Sequence, residues 1–216
     1  MIISRRRGFV FVHIPKTGGS SLSLALEAEA PACDILIGDT PAARARAQGL
    51  RGLKARGKLW KHSTLADIDG LVSGADLSRL FVLTLVRNPW DRMVSYYHWL
   101  RAQSFGHPAV TLAKASGFTS FICHPQTRKG MRRWPARAYV TAADGVERCR
   151  LFVRLEHLEE DLAPFEAHLG ARLHPLPQIN CSERPQDWRS AYDARAATMV
   201  ATDCAEDIRR FGYRFR

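Results

Sequence analysis

No stretch of the 216-residue chain approaches the roughly 18 consecutive apolar residues that a membrane-crossing helix requires. Cysteine is sparse and scattered. Cys33, Cys123, Cys149, Cys181 and Cys204 are odd in number, and no two of them form a C-x-x-C pair. That spacing argues against a structural zinc site or a thioredoxin-like redox centre and points to reduced, mostly buried thiols in a cytoplasmic protein. Two nucleotide signatures are also missing. There is no G-x-x-x-x-G-K-[ST] loop, which argues against an ordinary magnesium-dependent phosphotransferase, and no G-x-G-x-x-G dinucleotide fingerprint. Internal repeats and low-complexity tails are absent, and no clustered His/Asp set suggests a magnesium or zinc cage. Acidic residues are in deficit, with 21 Asp and Glu against 32 Lys and Arg, a formal charge of +11. Such an excess favours anionic partners, among them acidic polysaccharides, phospholipid surfaces and polyphosphorylated nucleotides.

What is present fits one α/β domain over residues 1–216. Arg5-Arg6-Arg7 before Phe9-Val10-Phe11-Val12 has the look of a signal peptide, but His13, Pro15 and Lys16 end the apolar run, so no targeting segment is expected. Gly8 to Ile14, Leu80 to Val86 and Leu151 to Leu155 read as buried strands, with Lys58 to His62 as a further short one. Helices are expected after Ser20 or Ser21, in a turn from Ser63 or Thr64 through Ile68, from Pro89 to about Leu100, from Glu156 to Leu169, and from about Tyr192 to Arg210. Alternation of strands and helices predicts a three-layer, P-loop-like domain with a short, mainly parallel sheet flanked by helices. Residues 32–57 and 103–145 are the least regular and are expected to face substrate, and Arg128-Lys129-Gly130 reads as a basic loop.

Two segments carry the chemistry. In His13-Ile14-Pro15-Lys16-Thr17-Gly18-Gly19-Ser20-Ser21 a strand runs through glycines into a helix, which aims backbone N–H groups and a helix dipole at an anion. Gly18 and Gly19 permit close approach, Thr17, Ser20 and Ser21 add hydroxyls, and Lys16 adds charge. Lys16 precedes the glycines, unlike the lysine of a Walker A loop. In Leu85-Val86-Arg87-Asn88-Pro89 a second strand opens onto a helix. Arg87 can clamp a phosphate in bidentate fashion, and Ser95 lies about two turns further on. Trp90 and Tyr97 read as packing residues.

The ordered pair of segments resembles the two nucleotide-binding motifs of the sulfotransferase superfamily that uses 3′-phosphoadenosine-5′-phosphosulfate (PAPS). H-I-P-K-T-G-G-S-S is similar to the carbohydrate branch, related to the heparan 2-O-sulfotransferases, in a compact bacterial-type member. Phe152 to Leu158 and the tail from Tyr192 to Phe215 share the likeness. The resemblance implies that Lys16 through Ser20 or Ser21 hold the 5′-phosphosulfate, that Arg87 and Ser95 hold the 3′-phosphate, and that no metal is required. It further implies sulfuryl transfer to a hydroxyl acceptor, a saccharide or glycolipid, with no nucleic-acid partner. Lys16 would stabilise the leaving oxygen and His62 would be the general base, with His13 and His98 as rivals. A nucleotide-dependent phosphotransferase and a non-enzymatic module binding anionic polymers are the competing readings.

Overall fold

A computed structural model describes residues 1–177 and 184–215. Cys181 and part of the Pro175–Pro185 connection lie outside the described residues. The chain begins with β1 (Ile2–Ser4), β2 (Phe9–Val12), α1 (Gly19–Glu27), β3 (Ile35–Leu36) and α2 (Pro41–Ala45). Next come α3 (Gly74–Arg79), β4 (Phe81–Val86), α4 (Pro89–Arg101), α5 (Pro108–Ala115), α6 (Phe118–Cys123), α7 (Pro125–Arg133) and α8 (Ala136–Val140). The order ends with β5 (Leu151–Arg154), α9 (Leu158–Leu169), α10 (Ala194–Asp203) and α11 (Ala205–Phe211). Two compact units divide the chain: Met1–Val86 with Ala136–Asn180, and Arg87–Pro135 with Cys181–Arg216. None of the described helices is long and apolar enough to cross a membrane.

The first unit is an α/β arrangement around a five-stranded sheet of order β3-β1-β2-β4-β5. β2, β4 and β5 run parallel, as the strand-then-helix pattern predicts. β1 is antiparallel to both β2 and β3, so the sheet is mixed rather than mainly parallel. The reason is local. Arg5 to Gly8 is too short for a crossover, and Gly8 at φ +70° reverses the chain so that Phe9 returns beside Ser4. Asp34 holds this hairpin, its buried carboxylate accepting from Ser4 Oγ at 2.7 Å and Arg7 Nη2 at 2.6 Å. β4 is buried along its whole length because it pairs on both edges, which explains its uninterrupted apolar run. Phe9 and Phe11 of the sheet share one core with Leu22 and Leu26 of α1 and Leu162 and Phe165 of α9.

Other expectations change in this unit. Lys58 to His62 forms a turn, not a strand. Thr64 and Asp67 exchange hydrogen bonds around a further turn, and no helix develops through Ile68.

The second unit is helical. Of Met93, Tyr96, Tyr97 and Leu100, whose spacing on α4 predicts a core face, Tyr96 is only half-buried and the other three are buried, and Trp90 and Tyr97 do pack internally. Trp90 Nε1 donates to Ala197 O at 3.0 Å and Tyr192 Oη donates to Trp90 O at 2.8 Å, so both polar tips are satisfied. Arg128-Lys129-Gly130 lies within α7, not in a loop. His124 caps that helix through Gln126 N and Pro125 opens it. Only Thr127 and Met131 of α7 are buried, and its anchoring is ionic: Arg128 and Arg132 both reach the buried carboxylate of Asp203 on α10. The terminal helix expected as one element is two, interrupted at Cys204 (φ −110°, ψ 19°).

Candidate functional site

Between β2 and α1 the first unit turns through His13 to Gly18. Lys16 has φ +66°, the one non-glycine at positive φ among the described residues. A left-handed lysine costs roughly 1–2 kcal/mol, and strain of this kind collects at functional sites. The two glycines serve different ends. Gly18 is the N-cap at φ +86°, and a Cβ there would lie 2.8 Å from Leu155 Cδ1. A Cβ on Gly19 would fall 2.2 Å from the His13 ring. Thr17 Oγ1 donates to Ile14 O at 2.9 Å, so its proton holds the turn together.

Gly18, rather than Ser20 or Ser21, caps α1, and the two serines occupy its first turn with hydroxyls that have no hydrogen-bond partner among the described residues. That turn contains no acidic residue and no side-chain cap. Its N–H groups, the serine hydroxyls and Lys16 form a donor set suited to a phosphate or sulfate. Without Cβ atoms on Gly18 and Gly19, the backbone there is open to close approach.

His62 reaches this turn from the opposite segment of the same unit. Its Nδ1 lies 2.8 Å from His13 O. A carbonyl only accepts, so Nδ1 carries the proton and Nε2 keeps the lone pair. Burial pushes the His62 pKa down to about 4; the His13 carbonyl opposes the shift, Lys61 and the Met1 amino group add to it, and Asp39 opposes it. The imidazole is therefore neutral near pH 7. His13 is driven well below its ordinary value by burial first, then by the Met1 amino group, His62, Lys61 and Lys16. Its ring lies 4.7 Å from that of His62 and stacks on Phe11 at 6.0 Å, a packing role as much as a chemical one. The expectation that the chain carries no D-x-D motif is wrong, since Asp67-Ile68-Asp69 spells one. The Asp67 carboxylate is engaged by Thr64, and no group of three or more metal-ligating side chains occurs among the described residues.

The second unit places Arg87 just before α4, where Asn88 caps the helix through Trp90 N. Arg87 Nε and Nη2 lie 2.8 and 2.7 Å from Asp91 Oδ2. The other oxygen, Oδ1, accepts from Arg184 Nη1. Two guanidinium groups on one carboxylate leave a net positive charge, suited to an anion. Ser95 is buried one turn beyond Asp91 on the same helix face. His98, also on α4, has its pKa lowered by burial, Arg101 and Arg184. Arg184 was not foreseen; it lies in an aperiodic connection where only its charge marks it. The first unit thus brings Lys16, Thr17, Gly18, Gly19, Ser20, Ser21 and His62 together, while Arg87 and Ser95 belong to the second.

Among solved structures the chain is similar to mouse sulfotransferase SULT7A1 complexed with PAP, with a TM-score of 0.54 and 15% sequence identity over 95% of this chain and 85% of that chain. No family model matches the chain, and no curated protein matches it. The class defined here is an α/β fold with a mixed sheet flanked by helices, shared with a sulfotransferase.

Proposed function

We propose that the chain is a PAPS-dependent sulfotransferase that moves a sulfuryl group to an acceptor hydroxyl, that of a carbohydrate. Residues 1–216, two compact units by their contacts, act as one sulfotransferase-like domain, cytoplasmic and independent of metal, with residues 32–57 and 103–145 toward the acceptor. The observation that carries it is the hydrogen bond from His62 Nδ1 to His13 O, which ties a neutral imidazole to the start of the glycine turn containing Lys16. The fold likeness supports it. So does the donor set of that turn, which fits a 5′-phosphosulfate, while Arg87, Arg184 and Ser95 offer what a 3′-phosphate needs.

Bound PAPS supplies the sulfuryl group. Lys16 neutralises charge building on the leaving oxygen, and the first-turn N–H groups of α1 hold the phosphosulfate oxygens. His62 takes the acceptor proton on Nε2, oriented by its bond to His13. Nothing in this sequence requires Lys16 to follow the glycines, as a Walker-type phosphotransferase would.

The test is calorimetric titration with PAP beside turnover from PAPS across sugar, lipid and phenol acceptors. Lys16→Ala is expected to lose turnover on the order of 10²–10³-fold. His62→Gln is expected to lose about 10²-fold or more with PAP affinity unchanged. Full turnover in Lys16→Ala, or no PAP binding at millimolar nucleotide, overturns the proposal.

A further inference from the structure

We infer that Trp60 is the platform on which the acceptor stacks, and that it selects a pyranose ring of an acidic saccharide and presents its hydroxyl to His62. This rests on the proposed sulfotransferase reading, which does not by itself say what positions the acceptor. The Trp60 indole is 49% exposed. Its ring centre is 5.0 Å from that of His62, with the planes at 89°. An indole left half in water forfeits a large apolar contribution that burial would give.

The backbone here is built to hold it in that position. Trp60 N donates to Ser63 Oγ at 2.9 Å, Ser63 N donates back to Trp60 O at 2.9 Å, and Ser63 Oγ is shared between the carbonyls of Trp60 and Lys58. Ser63 itself is buried. One four-residue turn therefore fixes the backbone that carries a flat, half-exposed apolar ring beside the imidazole whose Nε2 keeps its lone pair. No hydrogen bond occupies that Nε2 among the described residues.

A pyranose suits this pair of rings. Its C–H face carries partial positive charge that meets the negative face of the indole, and its hydroxyls project from the rim toward the neighbouring imidazole. The surroundings set the charge. Lys54, Arg56 and Lys58 precede Trp60 along the chain and are exposed, and Lys61 follows it. These four cations repel an ammonium-bearing acceptor, which the indole alone would welcome, and attract a carboxylate. Lys61 is paired with Asp39 at 2.6 Å, and Asp67 and Asp69 pack against the Arg56–Gly57 backbone, so the four cations exceed the three carboxylates and leave the segment net positive.

The chain contains five tryptophans, so in 15N-labelled protein the Trp60 indole N–H resonance is identified as the one missing from Trp60→Phe. Oligogalacturonate, maltohexaose and phenol are titrated separately, and PAP affinity is measured in each variant. Oligogalacturonate is expected to shift the Trp60 resonance and to bind about tenfold more weakly to Trp60→Ala, with Trp60→Phe intermediate and PAP affinity unchanged in both. A Trp60 resonance that is unmoved by oligogalacturonate, or moved as far by phenol or maltohexaose, overturns the inference. If oligogalacturonate shifts Trp60 while PAP fails to bind, the saccharide platform stands and the sulfotransferase reading falls. If PAP binds and Trp60 stays silent, the reverse holds.

Discussion

Gly18 and Gly19 are adjacent, yet replacing them tests different physics. At Gly18 the backbone angle itself disfavours any side chain. At Gly19 the backbone is ordinary and the obstacle is the His13 ring, 2.2 Å from where a Cβ would sit. Gly19→Ala must push that ring, and with it the carbonyl to which His62 donates. The expected loss is roughly 1–3 kcal/mol in urea unfolding, typical of overpacking, together with weaker turnover. Pairing Gly19→Ala with His13→Ala removes the obstacle, so the double variant should recover part of the stability that the two single losses add up to. Strict additivity would mean that the ring is not what excludes a side chain there. His13, read from sequence as a rival base, is on this account the part that positions His62.

At the scale of elements, α7 and α10 show how an ionic anchor replaces an apolar stripe. Asp203 is buried, and although burial raises its pKa, hydrogen bonds from Arg128 and then Arg132 hold it below the usual carboxylate range. Asp203→Asn removes the charge and keeps the volume. It should destabilise the helical unit by about 2 kcal/mol, the scale of hydrogen bonds to a charged group, and speed amide exchange in α7 above that in β4. Equal exchange in the two elements would refute the anchoring role. The same pair of helices explains what the sequence conceals. β2, β4, β5, α4 and α9 are legible because their own apolar patterns report burial. α7 is not, since its fixed partner lies at Asp203, more than seventy residues away. β1 and β3 have three and two residues, too short for any period, and the antiparallel edge they add turns on Gly8. Of the proposed site, Lys16 to Ser21 and Arg87 follow strands β2 and β4, and their strand-to-helix pattern is visible in the sequence. The tautomer of His62 and the second arginine on Asp91 depend on contacts that no local pattern records.

Over the whole molecule, imidazoles whose pKa values are lowered by burial make stability depend on pH in a direction that can be worked out. His62 has an unfolded value near 6.5 and a folded value of about 4. The unfolded chain therefore binds its proton first as pH falls. The contribution from a neutral His62 is complete above pH 6.5, declines as pH drops from 6.5, and is gone below about 4. A gap of this size corresponds to roughly 3 kcal/mol. His13 is displaced the same way, and the buried Met1 amino group, lowered to about 5, extends the trend toward pH 8, so the wild-type curve alone mixes several groups. Comparison with His62→Gln isolates one of them. The stability difference between wild type and His62→Gln should be flat from pH 7 to 8, then shift against the wild type by about 3 kcal/mol between pH 6.5 and 4. Urea unfolding at half-unit pH steps measures it. A difference that stays constant across that interval would mean that His62 titrates alike in both states, and a neutral imidazole held so by burial beside the Lys16 turn would then have to be given up.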